Sequence, residues 1–202
     1  TLSIDLIHLI QQYLDPKSFV NSLRSSKLFN IKDHNSITKN TYLSIKYNYM
    51  EKKYKNESID GLAKYGDLEG IKWLHENGEE CTQDAMNWAA IRGHLEVVKF
   101  LHFNRKEGCS RDAMDKAAGN GHLDVVKFLH INRREGCSTD AMDNAAWMGH
   151  LDIVIWLHEN RIEGCSAWAV RLATEMGQLD IVKWLHDNKL SMERGEKRYF
   201  VL

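Results

Sequence analysis

Residues 94–121 read HLEVVKFLHFNRKEGCSRDAMDKAAGNG, and residues 122–149 read HLDVVKFLHINRREGCSTDAMDNAAWMG. The two blocks agree at 21 of 28 positions, and residues 150–177 keep 16 of 28 against the second block. Identity this dense marks a duplicated structural unit, and a unit of this length decides the fold. The period extends outward from these blocks. Gly93, Gly121, Gly149 and Gly177 lie 28 apart, with Gly66 27 before the first. Cys81, Cys109, Cys137 and Cys165 keep the same spacing, and a Leu-His pair recurs at 74–75, 101–102, 129–130, 157–158 and 185–186.

Each unit predicts two short helices. The first runs from Asp112 to Asn120 and stops at Gly121, which suits the left-handed position after a helix end. Ser110 and Asp112 are candidate N-caps. The second runs from about His122 to His130, with Leu123, Val126 and Leu129 spaced three apart as an apolar stripe. The polar link 132–138 contains Gly136 and predicts a turn. Neither helix can bury its apolar face alone, so the units must stack into a continuous core. A single proline in 202 residues agrees with an all-α chain of short connections.

The string Ala89-Ala90-Ile91-Arg92-Gly93-His94-Leu95-Glu96-Val97-Val98, with its copies, resembles the centre of the ankyrin repeat. The period of 28 is shorter than that family's, and Asp-Ala-Met-Asp at 112–115 and 140–143 replaces its usual opening. The resemblance implies an ankyrin-type α-solenoid of about five repeats over residues 57–188, with the projecting fingers reduced to tight turns. The short variety is similar to repeats of giant viruses of amoebae, also found in amoebae and oomycetes. A cytoplasmic location, the host cytoplasm for a virus, goes with that resemblance. The copy at Ile59–Leu68 is degenerate and residues 189–202 break the pattern, as the caps of a solenoid do.

Among the positions that vary within the constant frame are the residue before Ala-Ala and the two after it. In ankyrin repeats these are exposed on the concave side. Here the resemblance implies partner-binding roles for Trp88, Ile91, Arg92, Lys116, Asn120, Asn144, Trp147, Met148, Leu172 and Met176. Aromatic and Met side chains at such positions suit a partner surface. The alternative is that helix ends tuck them between repeats.

Residues 1–50 have no copy among the repeats and predict a helical module, with residues 51–202 as the repeat domain and its C-terminal cap. The stretch Leu2-Ser-Ile-Asp-Leu-Ile-His-Leu-Ile-Gln-Gln-Tyr-Leu-Asp-Pro-Lys-Ser-Phe19 resembles an F-box, with Ser3 where that motif usually has Pro. The resemblance implies a Skp-type adaptor as a partner, bound through Leu2, Leu6, Ile7, Ile10, Tyr13, Leu14 and Phe19. It also implies a role as substrate receptor of a cullin-RING ubiquitin ligase. Two alternatives stand beside it: the segment only caps the solenoid, or the repeats sequester a protein partner without any ligase.

Other chemistry is disfavoured by spacing. His94, His122 and His150 occupy equivalent places in stacked units, about 10 Å apart at helix-packing distance, whereas zinc needs donors at about 2.0–2.3 Å. The cysteines are separated in the same way, and buried, reduced thiols are the expectation. The Leu-His histidines are expected to close the second helix with positive charge. No phosphate loop, metalloprotease motif or nucleophile elbow is present, so neither an enzyme nor a cofactor nor a metal is expected. Residues 1–56 carry a net charge of +5 and residues 57–202 a net −6, which argues against nucleic acid as the partner of the larger part. The longest apolar run, Ile153 to Leu157, is too short to span a membrane.

Overall fold

The computed structural model describes Ser44 and residues 46–188. The F-box-like string and the C-terminal cap at 189–202 lie outside the described residues. The chain divides into two compact units, Thr1–Glu57 and Ser58–Leu202. In the first, a helix runs through residues 46–54 and buries Met50 and Tyr54. The second holds five helix pairs: α1 (Ile59–Tyr65) and α2 (Leu68–Glu76), α3 (Gln83–Ile91) and α4 (Leu95–Asn104), α5 (Asp112–Gly119) and α6 (Leu123–Asn132), α7 (Asp140–Met148) and α8 (Leu151–Asn160), α9 (Ala167–Glu175) and α10 (Leu179–Asp187). No strand occurs among the described residues, and the architecture is an ankyrin-type α-solenoid.

Helices of seven to ten residues are marginal in water by themselves, so packing must hold them. The first helices stack on one another in order, and each also packs on the second helix of its own pair. Small side chains permit the close stacking: Ala89, Ala90, Ala117, Ala118, Ala145 and Ala146 are all fully buried. The three middle second helices each bury an aliphatic triplet, such as Val125, Val126 and Leu129 on α6.

One glycine per repeat makes the link between the paired helices. Gly93 takes φ 74°, and the next residue, His94, donates its backbone N–H to Ala89 O at 2.8 Å. This wrap satisfies a helix-end carbonyl and turns the chain within one residue. The glycine has a second reason to recur. A Cβ on Gly93 would lie 2.5 Å from His122 Nδ1, so the histidine of the next repeat sits where a side chain would be.

The turns carry the remaining repeat-to-repeat bonds. Asp115 Oδ1 accepts from Ser138 N and its Oδ2 from Ser138 Oγ, both at 2.8 Å. Asp60 with Thr82 and Asp143 with Ser166 repeat the pattern. The Ser or Thr hydroxyl also accepts from a backbone N–H of its own first helix. Ser110 departs from its expected capping role. Its partner is Asn87, which accepts only the backbone N–H, and the Ser110 hydroxyl is buried without a hydrogen bond. An amide nitrogen stands where the second carboxylate oxygen would be, so the hydroxyl has no acceptor. Helix α5 has no side-chain cap bond.

Candidate protein-recognition surface

The chemically conspicuous side chains are engaged in packing. Arg105, Arg133 and Arg161 pair with Glu107, Glu135 and Glu163 two residues on. Burial opposes ionisation of Glu135, but hydrogen bonds from Arg133 and from the Glu135 and Cys109 backbone outweigh it and hold the carboxyl down at about 2. The thiols of Cys109, Cys137 and Cys165 are pushed up to about 11, chiefly by burial. They are protonated at neutral pH and so are poor nucleophiles. Among the described residues no three His, Cys, Asp or Glu side chains gather as a metal site.

The Leu-His histidines stand in the last turn of each second helix, as expected, and four of them also meet the next repeat. Each turns a ring edge onto the aromatic residue of the following second helix: His75 on Phe100, His102 on Phe128, His130 on Trp156 and His158 on Trp184, at 5.2–5.5 Å. Arg105 Nη1 lies 3.3 Å from His75 Nδ1, and Arg161 Nη1 lies 3.2 Å from His130 Nδ1. A guanidinium only donates, so these contacts need an unprotonated Nδ1. Burial, and then Arg133, lower the pKa of His102. At His102 burial, with the guanidinium second, therefore disfavours a positive imidazole. The histidine that follows the glycine at position 122 bonds the backbone of Ile91.

The variable positions of the first helices remain, beside Phe103, Ile131, Ile162 and Leu179, which the second helices and turns leave exposed. They form three rows across the stack. The first is Gly61, Trp88, Lys116, Asn144 and Leu172, and the second is Lys64, Ile91, Gly119, Trp147 and Glu175. The third, at the helix ends, is Tyr65, Arg92, Asn120, Met148 and Met176. Contacts tie the rows across neighbouring helices. Lys64 Nζ lies 4.9 Å over the Trp88 ring, Asn120 Nδ2 donates to Ile91 O at 2.9 Å, and Asn144 covers Gly119.

Large apolar side chains stand exposed in these rows: Tyr65 at 75%, Trp88 at 37%, Trp147 at 41%, Met148 at 48% and Met176 at 54%. Arg92, Lys116 and Asn120 are exposed, while Ile91, Asn144 and Leu172 are half-buried. The apolar members do not run as one stripe. Lys116, Gly119 and Asn120 on α5 separate Tyr65 and Trp88 from Trp147, Met148 and Met176. Trp168, on the first turn of α9, is also exposed and lies against Arg171 at 4.8 Å. Leu2, Leu6, Ile7, Ile10, Tyr13, Leu14 and Phe19 lie outside the described residues. Tyr65 and Lys64 were missed in the sequence because the first copy is degenerate and offset by one residue. Counting back from Gly66 finds them.

The family model for ankyrin repeats in many copies matches residues 59–102, 86–130 and 114–158. Residues 59–158 are ankyrin repeats. The fifth pair, α9 and α10, continues the ankyrin stack beyond the matched residues with the same glycine and cysteine spacing. Ankyrin repeats are protein-interaction modules, and that is the role of this domain at the level of its family. A search of curated proteins found no match to the chain. No helix among the described residues is long and apolar enough to cross a membrane.

Proposed function

We propose that the chain is a non-catalytic recognition protein whose ankyrin domain holds a protein partner on the first-helix face. One observation carries the reading. Several of these variable first-helix positions are exposed, and the exposed ones include Trp, Met and Tyr where solvation alone would favour polar residues. A mutation there tests it. Trp147→Ala should weaken partner binding by about 1–2 kcal/mol or more, as hot-spot aromatics do, with much less change in stability. Intact binding with lost stability would make Trp147 a packing residue and remove the site.

We further propose that residues 1–50 form an adaptor-binding module and that the whole chain is a substrate receptor of a Skp/cullin/F-box type ubiquitin ligase. The support is the F-box-like string from Leu2 to Phe19, placed ahead of a recognition domain. Mixing the purified chain with a Skp-type adaptor decides between this reading and simple sequestration of the partner. The ligase reading predicts a micromolar or tighter complex that is lost in Leu6→Asp. No complex at micromolar concentration leaves the sequestering scaffold.

A further inference from the structure

The first-helix face has two chemically unlike ends. On α1, α3 and α5 it presents Lys64, Arg92 and Lys116, and none of the three has an ion-pair partner among the described residues. Tyr65 and Trp88 stand among these cations, with Lys64 over the Trp88 ring. On α7 and α9 the same positions hold Trp147, Met148, Leu172 and Met176. The only charged member there, Glu175, is neutralised by Arg171 Nε at 2.8 Å. The basic end is a local feature, because residues 57–202 carry a net charge of −6.

From this division we infer that the partner is a protein segment with two unlike ends: acidic residues over α1 to α5, and large apolar residues seated on Trp147, Met148 and Met176. This rests on the first-helix face being the recognition surface. Four interhelix steps of about 8–10 Å separate α1 from α9, so about ten to twelve extended residues reach from one end to the other. Cations over the first three repeats attract carboxylates and set the direction in which the segment lies, since the reversed segment would place acid on the Trp-Met end. A nucleic acid fits less well. Its phosphates are evenly spaced and need cations along the whole strip, whereas α7 and α9 offer no unpaired cation at these positions.

The test uses the full chain as bait for a phage-displayed library of random peptides of about twelve residues. Selected peptides should show a clear excess of Asp and Glu over the unselected library, with large apolar residues grouped at the other end. A synthetic copy of a selected peptide should bind about tenfold or more weakly to Arg92→Glu/Lys116→Glu, and comparably more weakly to Trp147→Ala. Added salt should weaken binding to the wild type but hardly to the charge-reversed variant. Both charge-reversed residues are exposed, so thermal unfolding should be unchanged. Peptides that need Trp147 but carry no acidic excess would overturn the two-ended partner and leave the recognition face standing. If no peptide is enriched, or none depends on Trp147, both readings fall. Salt-sensitive binding of a single-stranded oligonucleotide tighter than that of any selected peptide would assign the basic end to nucleic acid instead.

Discussion

Replacing Gly93 by alanine tests how the repeats are joined, because two separable costs meet at that residue. Gly93 takes φ 74°, a left-handed conformation that costs an L-residue about 1–2 kcal/mol. The added Cβ would also lie 2.5 Å from His122 Nδ1, 2.6 Å from Cε1 and 2.8 Å from Cγ. Contact with Cγ matters most, since rotating the ring cannot relieve it and the whole imidazole must move. That movement disturbs the bond from His122 to the Ile91 backbone. Overpacking of this kind costs about 1–3 kcal/mol, so Gly93→Ala should destabilise the domain by about 2–5 kcal/mol in total. A double-mutant cycle separates the costs. In a His122→Ala background the steric cost disappears and only about 1–2 kcal/mol of backbone cost should remain, a coupling of about 1–3 kcal/mol. Urea unfolding followed by helical circular dichroism and tryptophan fluorescence reads both numbers. A coupling below about 0.5 kcal/mol would show that His122 is not seated on Gly93.

Three further outcomes follow from the same stack. Leu129 is 1% exposed, so Leu129→Ala should cost about 2–5 kcal/mol in urea unfolding, and the loss should spread to the neighbouring repeats in hydrogen exchange. The carboxyl of Glu135 is held at about 2 in the fold, below its unfolded value, so its contribution is present above about pH 4 and is lost as the pH falls toward 2. Glu135→Gln should therefore destabilise at neutral pH, by about 1 kcal/mol after allowance for solvent screening, and the difference from wild type should vanish in acid. Burial raises the pKa of Asp143 despite its bonds from Ser166. Its contribution is full below the unfolded pKa and is lost as the pH rises through the folded one. Asp143→Asn, which copies the natural Asn87, should shift stability by no more than about 1 kcal/mol at pH 7 and remove that slope from the acid-range stability curve.

How the chain divides into repeats was readable from residues 94–149 alone. Each element there is local: an apolar stripe with helical spacing, a glycine stop and a polar turn, repeated at a fixed interval. Local rules decide such features without reference to what packs against them. The buried identity of Val126 and Leu129 follows in the same way, because a short helix has one apolar side and one neighbour to cover it.

The roles of Arg161, His130, Ser138 and Asp115 were out of reach. Each acts on a residue of an adjacent repeat, 23 to 31 positions away, and only stacking brings those partners together. The sequence by itself determined that five like units stack, and which positions within them vary. Only the tertiary structure decided which polar residues become bonds between units and which remain as surface. The physical reason lies in burial. Side chains that one helix alone would leave in water, such as Asp115, Cys109 and Cys137, are buried in the stack and must find partners there or stay uncharged. Tyr65, Trp147 and Met176 are enclosed by no such neighbour and keep the exposure that the proposed recognition face requires.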